Sequence, residues 1–385
     1  MHIILIEIID LFLFGGLILC FLIQVFYYMY FYARPLSYQY KIKKHGELKP
    51  LAENCPGVSV IISAKNESQN LTEFLPAILE QDYENYEVIV VNNGSSDESE
   101  IILGMLEQQY KNLYKTYIPE EAKNVSHKKL ALTVGIKAAK HDILLFTEAN
   151  TQPLSKNWIS SMARNFDERI DIVIGFSRLN KFGLLSGLAS FDNLLSGLRY
   201  LSCAIMKHPY MGTGNNLAYR KRLFFSKKGF VKHLRLQFGE DDLFVNESVN
   251  QTNTIVEISK DSVVQTNIES FKVWKETKIC RKITQSYYKG LEVNWWRLEA
   301  LSRFLFWGLT IAVCVLYWNT TFIPAIATSL FILKFTIQYL IINKSAQMLQ
   351  IKSFSFSLLL FDLLQPLFNI YFYLYRIFRA KSDYI

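Results

Sequence analysis

Residues 3–32 read IILIEIIDLFLFGGLILCFLIQVFYYMYFY, a run without a single lysine or arginine. About 20 apolar residues suffice for a helix to cross a bilayer, so the chain is confined to folds that begin with a membrane segment. The run has no basic start and no small-residue cleavage site, and so does not read as a cleaved signal peptide. Arg34, Lys41, Lys43 and Lys44 follow at once, which places that side in the cytoplasm. The expectation is an N-out anchor over residues 1–33 and a basic linker over 34–56.

Three more apolar runs lie near 303–319, 321–342 and 354–378. Trp318–Thr320 between the first two is uncharged, as in a short outer loop, while Lys344 and Lys352 precede the third, as in an inner one. A full crossing by the third puts Arg376, Arg379 and Lys381 outside, and it carries Asp362, Gln365 and Pro366 mid-run. Two to three spans are therefore expected over 301–385, the last either crossing, re-entrant or lying at the interface. Net charge is +8, with the basic residues crowded beside the apolar runs at 41–49, 272–297 and 376–381. Anionic lipid headgroups explain that placement more simply than nucleic acid does. Cysteines 20, 55, 203, 280 and 314 have no ligand spacing, so neither a disulfide framework nor a zinc site is indicated. The layout, spans at both ends of a long polar middle, argues against a transporter.

The middle alternates strand and helix patterns. VSVIISA (58–64) is continuous, apolar and β-branched, the signature of a strand buried on both faces. A helical pattern over 71–81 follows, then the strand YEVIVVN (86–92) with an Asn93-Gly94 turn and Asp97. Helices over 98–111 and 127–140 and strands over 116–119 and 142–146 complete a doubly wound, mostly parallel α/β sheet, within a domain assigned to 57–270. Such sheets bind ligands at the carboxyl ends of their strands. Lys65, Asn66, Glu67, Asn92–Asp97, Glu148 and Asn150 all stand there, although each also reads as an ordinary turn or cap residue alone.

Farther on, 171–176 reads as a strand. Residues 182–206 are amphipathic enough to lie on a membrane, with their Leu and Phe read as core. MGTGNNLAYR (211–220) is a Gly- and amide-rich turn into a strand, and short strands are expected near 254–259 and 262–267. One basic aromatic helix over 270–297, with Trp274, Trp295 and Trp296, reads as an interface element within 271–300. Between them stand Glu240, Asp241 and Asp242, three consecutive acids opening a helix. Their mutual repulsion is partly offset by the helix N-terminus, and one of them could be a general base rather than a cap.

The order VIISAKNES, VVNNGSSD, KKLAL, LLFTEAN, GTGNNLAYR, GEDDLF, then a basic aromatic helix and spans, resembles family 2 glycosyltransferases of GT-A fold. It is similar in particular to their membrane-anchored bacterial members, over about residues 57–290. The resemblance implies a nucleotide-sugar donor, with Ala64, Lys65, Glu67 and Asp97 toward its base and ribose and Lys128 or Lys129 toward its phosphates. Glu148-Ala149-Asn150 falls where the family has Asp-x-Asp, which would make Glu148 and Asn150 the ligands of a divalent cation, Mn2+ or Mg2+. Gly214, Asn215 and Asn216 would shape the acceptor side, with Lys278 and Arg281 near the diphosphate or acceptor. Asp241 would be the base, with Asp242 in reserve and Glu240 beside them.

Two positions depart from the pattern. Asn150 offers a hard cation only a neutral oxygen. Lys278-x-x-Arg281-Lys282 replaces Gln-x-x-Arg-Trp, and its extra cations could replace part of a metal's charge. The resemblance thus implies an inverting transferase acting on a lipid-linked or other membrane-associated saccharide at the cytoplasmic face of a bacterial inner membrane. The alternative is a catalytically degenerate scaffold of a glycan-assembly complex. Neither the sugar, the nucleotide nor the oligomeric state follows from these residues.

Overall fold

The computed structural model describes residues 2–45, 56–118, 126–181 and 183–378. Arg379 and Lys381, invoked above for the topology of the last span, and linker residues 46–55 lie outside these. Helix α1 (His2–Phe26) passes through a π-helical turn (Tyr27–Tyr32) into α2 (Arg34–His45). In the turn, Ala33 N–H donates to Tyr28 O at 3.0 Å, the wider i→i+5 bond, and Tyr28 and Tyr32 are fully buried.

The central domain follows as β1 (Val58–Ala64), α3 (Ser68–Leu79), β2 (Tyr86–Asn92), α4 (Ser99–Gln109), β3 (Leu113–Tyr117), α5 (His127–Ala138) and β4 (Ile143–Phe146). Next come β5 (Thr151–Pro153), α6 (Trp158–Ala163), β6 (Ile172–Ile174), β7 (Ser177–Leu179), α7 (Ser186–Ile205), β8 (Leu217–Arg220) and α8 (Lys221–Ser226). The domain closes with α9 (Asp242–Ser248), β9 (Thr254–Val256), β10 (Val264–Thr266) and α10 (Phe271–Thr284). The C-terminal region is α11 (Glu292–Leu316), α12 (Phe322–Met348) and α13 (Ser357–Phe378).

The main sheet runs β3-β2-β1-β4-β8-β6-β9, parallel except for β8, with a smaller sheet β5-β10-β7 beside it. The unbroken apolar run of β1 has a direct cause. Successive side chains point to opposite faces, so Val58, Val60 and Ile62 pack with Leu71, Leu75 and Trp158, while Ile61 packs with Ala131 and Ile136 of α5. Helix α7 lies in that second core, with Phe191, Leu194, Leu198 and Leu201 buried, so the reading of its apolar residues as core holds.

Gly197 is what lets α7 seat. A Cβ built there comes within 2.3 Å of the buried Phe176 ring. Alanine would add about 1 kcal/mol of helix propensity, yet overpacking against a ring with nowhere to go costs typically 1–3 kcal/mol and more for a contact this short. Gly197→Ala is therefore expected to lower the melting temperature by a few degrees, and a raised melting temperature would show the ring free to move.

The helix expected over 270–297 is two helices. Gly290, at φ +105°, lies between α10 and α11 in a backbone conformation that disfavours any other residue. Trp295 and Trp296 thus belong to the start of a long apolar helix. The apolar runs also reach farther than hydropathy suggested. Arg303 and Glu299, one turn apart on α11, are both fully buried and bonded at 2.7 Å. Asp362, awkward in the last run, accepts from Lys334 at 2.6 Å, Gln338 at 2.8 Å and Trp307 at 3.0 Å. Four helical segments, Asp10–Lys44, Glu292–Leu316, Phe322–Met348 and Ser357–Phe378, are long and apolar enough to cross a membrane. Helix α7 joins this region to the sheet: Arg199 bonds Glu299 at 2.8 Å and Gln365 donates to Asp192 at 2.9 Å.

Candidate active site

The carboxyl ends of β1, β2 and β4 open on one side of the sheet, as a parallel arrangement requires. At β1 and β2 the loops bind each other. Asp97 accepts from the backbone N–H of Ser68 (3.0 Å) and Ser99 (3.0 Å). Desolvation raises its pKa, but the side-chain and backbone donors of Ser99 and Ser68 together outweigh it and hold its carboxyl down at about 2. Glu67 accepts from Asn70 at 2.5 Å, but burial, and to a lesser degree Glu148, Glu269 and Asp97, push its pKa above the ordinary range. Ala64 is buried, with its carbonyl taken by Asn93 N–H, and Lys65 is exposed at the strand's end.

Beside this group lies a pocket lined by Ser63, Lys128, Thr147, Glu148, Gly214, Glu240 and Asp241, with Leu132, Phe146, Leu217 and Tyr219 as its apolar floor. Lys128, on the first turn of α5, lies between two carboxylates, 2.7 Å from Glu148 and 2.7 Å from Glu240. Burial opposes its charge, but those two acids outweigh it and hold its pKa well above the usual value. An ammonium has three donors, so one remains for a ligand. Thr147 Oγ1 and Glu240 Oε2 are buried without a hydrogen-bond partner, which suits a pocket completed by a polar ligand.

Asp241 caps α9 and accepts from Gly214 N–H at 2.7 Å and from Arg281 at 3.0 Å. Burial alone would raise its pKa; Arg281, the Gly214 N–H and Lys128 outweigh that and keep it below the ordinary carboxylate range. Asp242 differs. Buried behind the pocket, it accepts from Thr284 and from Tyr288 at 2.6 Å, and burial together with Asp241's charge pushes its carboxyl up to about 6. Two adjacent acids are thereby driven apart, one ionised toward the pocket and one inside the protein.

Several residues singled out from sequence stand elsewhere. Lys129 is fully buried, and its three N–H groups go to the carbonyls of His233 (2.6 Å), Leu236 (2.7 Å) and Phe238 (2.9 Å). It holds the loop that delivers Glu240–Asp242, and its ammonium does not enter the pocket. Asn216 is likewise internal, bonded to Phe176 O, Ser262 O and Trp158 Nε1. Asn215 does approach, at 3.3 Å from Glu148 and 3.1 Å from Thr151. Lys278 pairs with Asp192 of α7 rather than with the pocket acids. Thr284 and Tyr288 went unnoticed, although their spacing of three and seven from Arg281 puts Thr284 on the same helix face.

The donor set for a metal is thin. Glu148 is engaged by Lys128 and Asn215, while the Asn150 amide donates to Asn267 O at 3.0 Å and its Oδ1 faces Thr151. Among the described residues no three His, Cys, Asp or Glu side chains gather to hold an ion.

Residues 59–224 match the Glycosyl transferase family 2 model. An uncharacterized glycosyltransferase of Haemophilus influenzae is 53% identical over 44 residues, which is 11% of this chain and 14% of that protein, so the match spans about a seventh of the relative's length. Mannosyltransferase PcManGT from Pyrobaculum calidifontis, solved with GDP-Man and Mn2+, superposes at TM-score 0.52 with 17% identity over 87% of this chain and 99% of its own. S. aureus TarS 1-349 with UDP-GlcNAc gives TM-score 0.43 and 18% identity over 65% of this chain and 72% of that one. At 17% identity the likeness to PcManGT is one of fold. Residues 59–224 are therefore similar to a glycosyltransferase family 2 domain, and the chain has a GT-A-like fold flanked by apolar helices.

Proposed function

We propose that the protein is an inverting glycosyltransferase that moves a sugar from a nucleotide-sugar donor to a lipid-linked or otherwise membrane-associated saccharide. The observation that carries this reading is Asp241: an ionised carboxylate lining a pocket, fixed by a backbone N–H and a guanidinium, beside a lysine with a spare donor. The sugar nucleotide would lie along the ends of β1, β2 and β4, its base and ribose by Ala64, Lys65, Glu67 and Asp97. Its diphosphate would lie by Lys128, and the acceptor by Gly214, Asn215 and Arg281.

An acceptor hydroxyl is a weak nucleophile until a base within hydrogen-bond reach takes its proton. Here the hydroxyl oxygen attacks the anomeric carbon as its proton passes to Asp241. The bond from that carbon to the diphosphate oxygen breaks, the electron pair leaves with the nucleoside diphosphate, and configuration inverts. Lys128 and Arg281 are the fixed cations facing the charge that develops.

A divalent ion of the kind that accompanies GDP-Man in PcManGT would meet one carboxylate, already paired, and the neutral oxygen of Asn150. That set does not make a metal site by itself, and no step is routed through one. Calorimetric titration of UDP and GDP into the detergent-purified protein tests the arrangement. Lys128→Ala is expected to weaken binding roughly 10- to 100-fold, the worth of a hydrogen bond to a charged group, whereas EDTA weakens it less. Binding abolished by EDTA but indifferent to Lys128→Ala would give the role to a metal.

The membrane reading rests on the four apolar segments and on Arg34, Lys41, Lys43 and Lys44 at the end of the first. On this reading the pocket would lie at the cytoplasmic face of a bacterial inner membrane. Transfer of radiolabelled sugar into an organic-extractable product, rather than a soluble one, tests the acceptor class.

A further inference from the structure

A second cavity, of about 260 Å³, shares no residue with the Asp241 pocket. One wall is α2, which presents Arg34, Ser37, Tyr38 and Lys41. These sit at i, i+3, i+4 and i+7, a single helix face. The opposite wall is the end of α7 with Lys207, and the floor is the edge strand β9. Three cations line this space and no carboxylate does. Among the described residues, none of the three forms an ion pair. Arg34 is half-buried and Lys41 and Lys207 are exposed, whereas Arg199, Arg303 and Lys128 elsewhere are paired with carboxylates.

Lys207 adds a separate observation. It ends α7 at φ +65°, where helices ordinarily place glycine or asparagine, with His208 N–H closing back onto Cys203 O at 2.8 Å. A lysine accepting the strained position puts an ammonium on the wall facing Arg34 and Lys41. The height is also set. Arg34 lies over the Tyr30 ring at 5.7 Å, next to the Tyr27–Tyr32 turn and Trp295, the kind of aromatic girdle found at headgroup level. With a rise of 1.5 Å per residue, Lys41 is about 10 Å along α2 from Arg34.

We propose that this cavity binds a phosphate group, carried either by an anionic phospholipid headgroup or by a soluble phosphate ester. The lipid source rests on the membrane reading above; the anion site does not. The site lies apart from the transfer pocket and would fix the sheet's β9 edge against the membrane surface.

The full chain in detergent is titrated with short-chain phosphatidylglycerol, short-chain phosphatidylcholine, and glycerol 3-phosphate or inorganic phosphate, with binding read by native mass spectrometry. Phosphatidylglycerol is expected to bind and phosphatidylcholine to fail to compete. Arg34→Gln, Lys41→Gln and Lys207→Asn should each weaken binding roughly fivefold, in keeping with the contribution of one basic residue near an anionic surface. Asparagine keeps the left-handed end of α7, so Lys207→Asn separates charge from fold. Equal binding of the two lipids, or a triple variant that binds phosphatidylglycerol like the wild type, overturns the proposal. Glycerol 3-phosphate or inorganic phosphate binding as tightly as phosphatidylglycerol makes the ligand a soluble one. Flotation with vesicles is read separately: a chain that does not float removes the lipid source, and the soluble phosphates then decide the site.

Discussion

Asp241→Asn is expected to lower sugar transfer by about 10²- to 10⁴-fold, the usual contribution of a positioned general base, while leaving nucleotide binding close to wild type. Asparagine keeps nearly the same volume and one oxygen, for the Gly214 N–H, but its amide nitrogen gives up the cap bond from Asp242 N–H, so a melting temperature taken alongside checks that the loop of Glu240–Asp242 keeps its shape. What it loses is the proton acceptor. Asp242→Asn provides the contrast, because Asp242 is buried and turned to Thr284 and Tyr288. Single-turnover transfer of labelled sugar, alongside calorimetry, separates the two. If Asp242→Asn is the one that stops transfer with binding intact, the base is Asp242 and Asp241 only anchors Arg281. The pH profile gives a further check. With Asp241 as base the acid limb of transfer lies below the ordinary carboxylate range, whereas a limb near 6 would report Asp242.

The second large effect is on stability. Lys129→Met should destabilise the protein by about 3–5 kcal/mol. It strips the carbonyls of His233, Leu236 and Phe238 of their shared donor in a place closed to water. Methionine fills the stem's volume, so the loss is one of hydrogen bonds rather than of packing. A melting temperature lowered by many degrees, with nucleotide affinity nearly unchanged in the folded fraction, is the expected result. The opposite pattern, a stable protein that no longer binds nucleotide, would return Lys129 to the donor site.

Lys128 and Lys129 show where reading a sequence stops. Neighbours on a helix point about 100° apart, so one meets the pocket and the other the interior, and composition cannot say which. Asn215 and Asn216 divide likewise at the turn that leads into β8. By contrast β1, β2 and β4 were plain, because strands covered on both faces leave a nearly continuous apolar run. Asp241 was legible because three adjacent acids need a reason. The charged residues in the apolar helices were harder. Glu299 and Arg303 are four apart and could have been paired on sight, but the partners of Asp362 come from two other helices. The break at Gly290 was hidden by the basic and aromatic residues on either side of it, which continue the same surface character across the bend.

The core around α7 has an implication for how the protein is made. Phe191 packs against Phe354 and Phe361, and the same cluster takes in Tyr28 and Tyr32 from the start of the chain and Ile342 and Leu358 from near its end. A ribosome delivers α7 long before α12 and α13, so the growing polypeptide holds an uncovered apolar flank until those helices emerge. Arg281 and Lys278 sit on the helix that α13 packs against. The helix bearing Arg281 thus gains this packing partner only after α13 has been made, and a polypeptide released before then would lack that support.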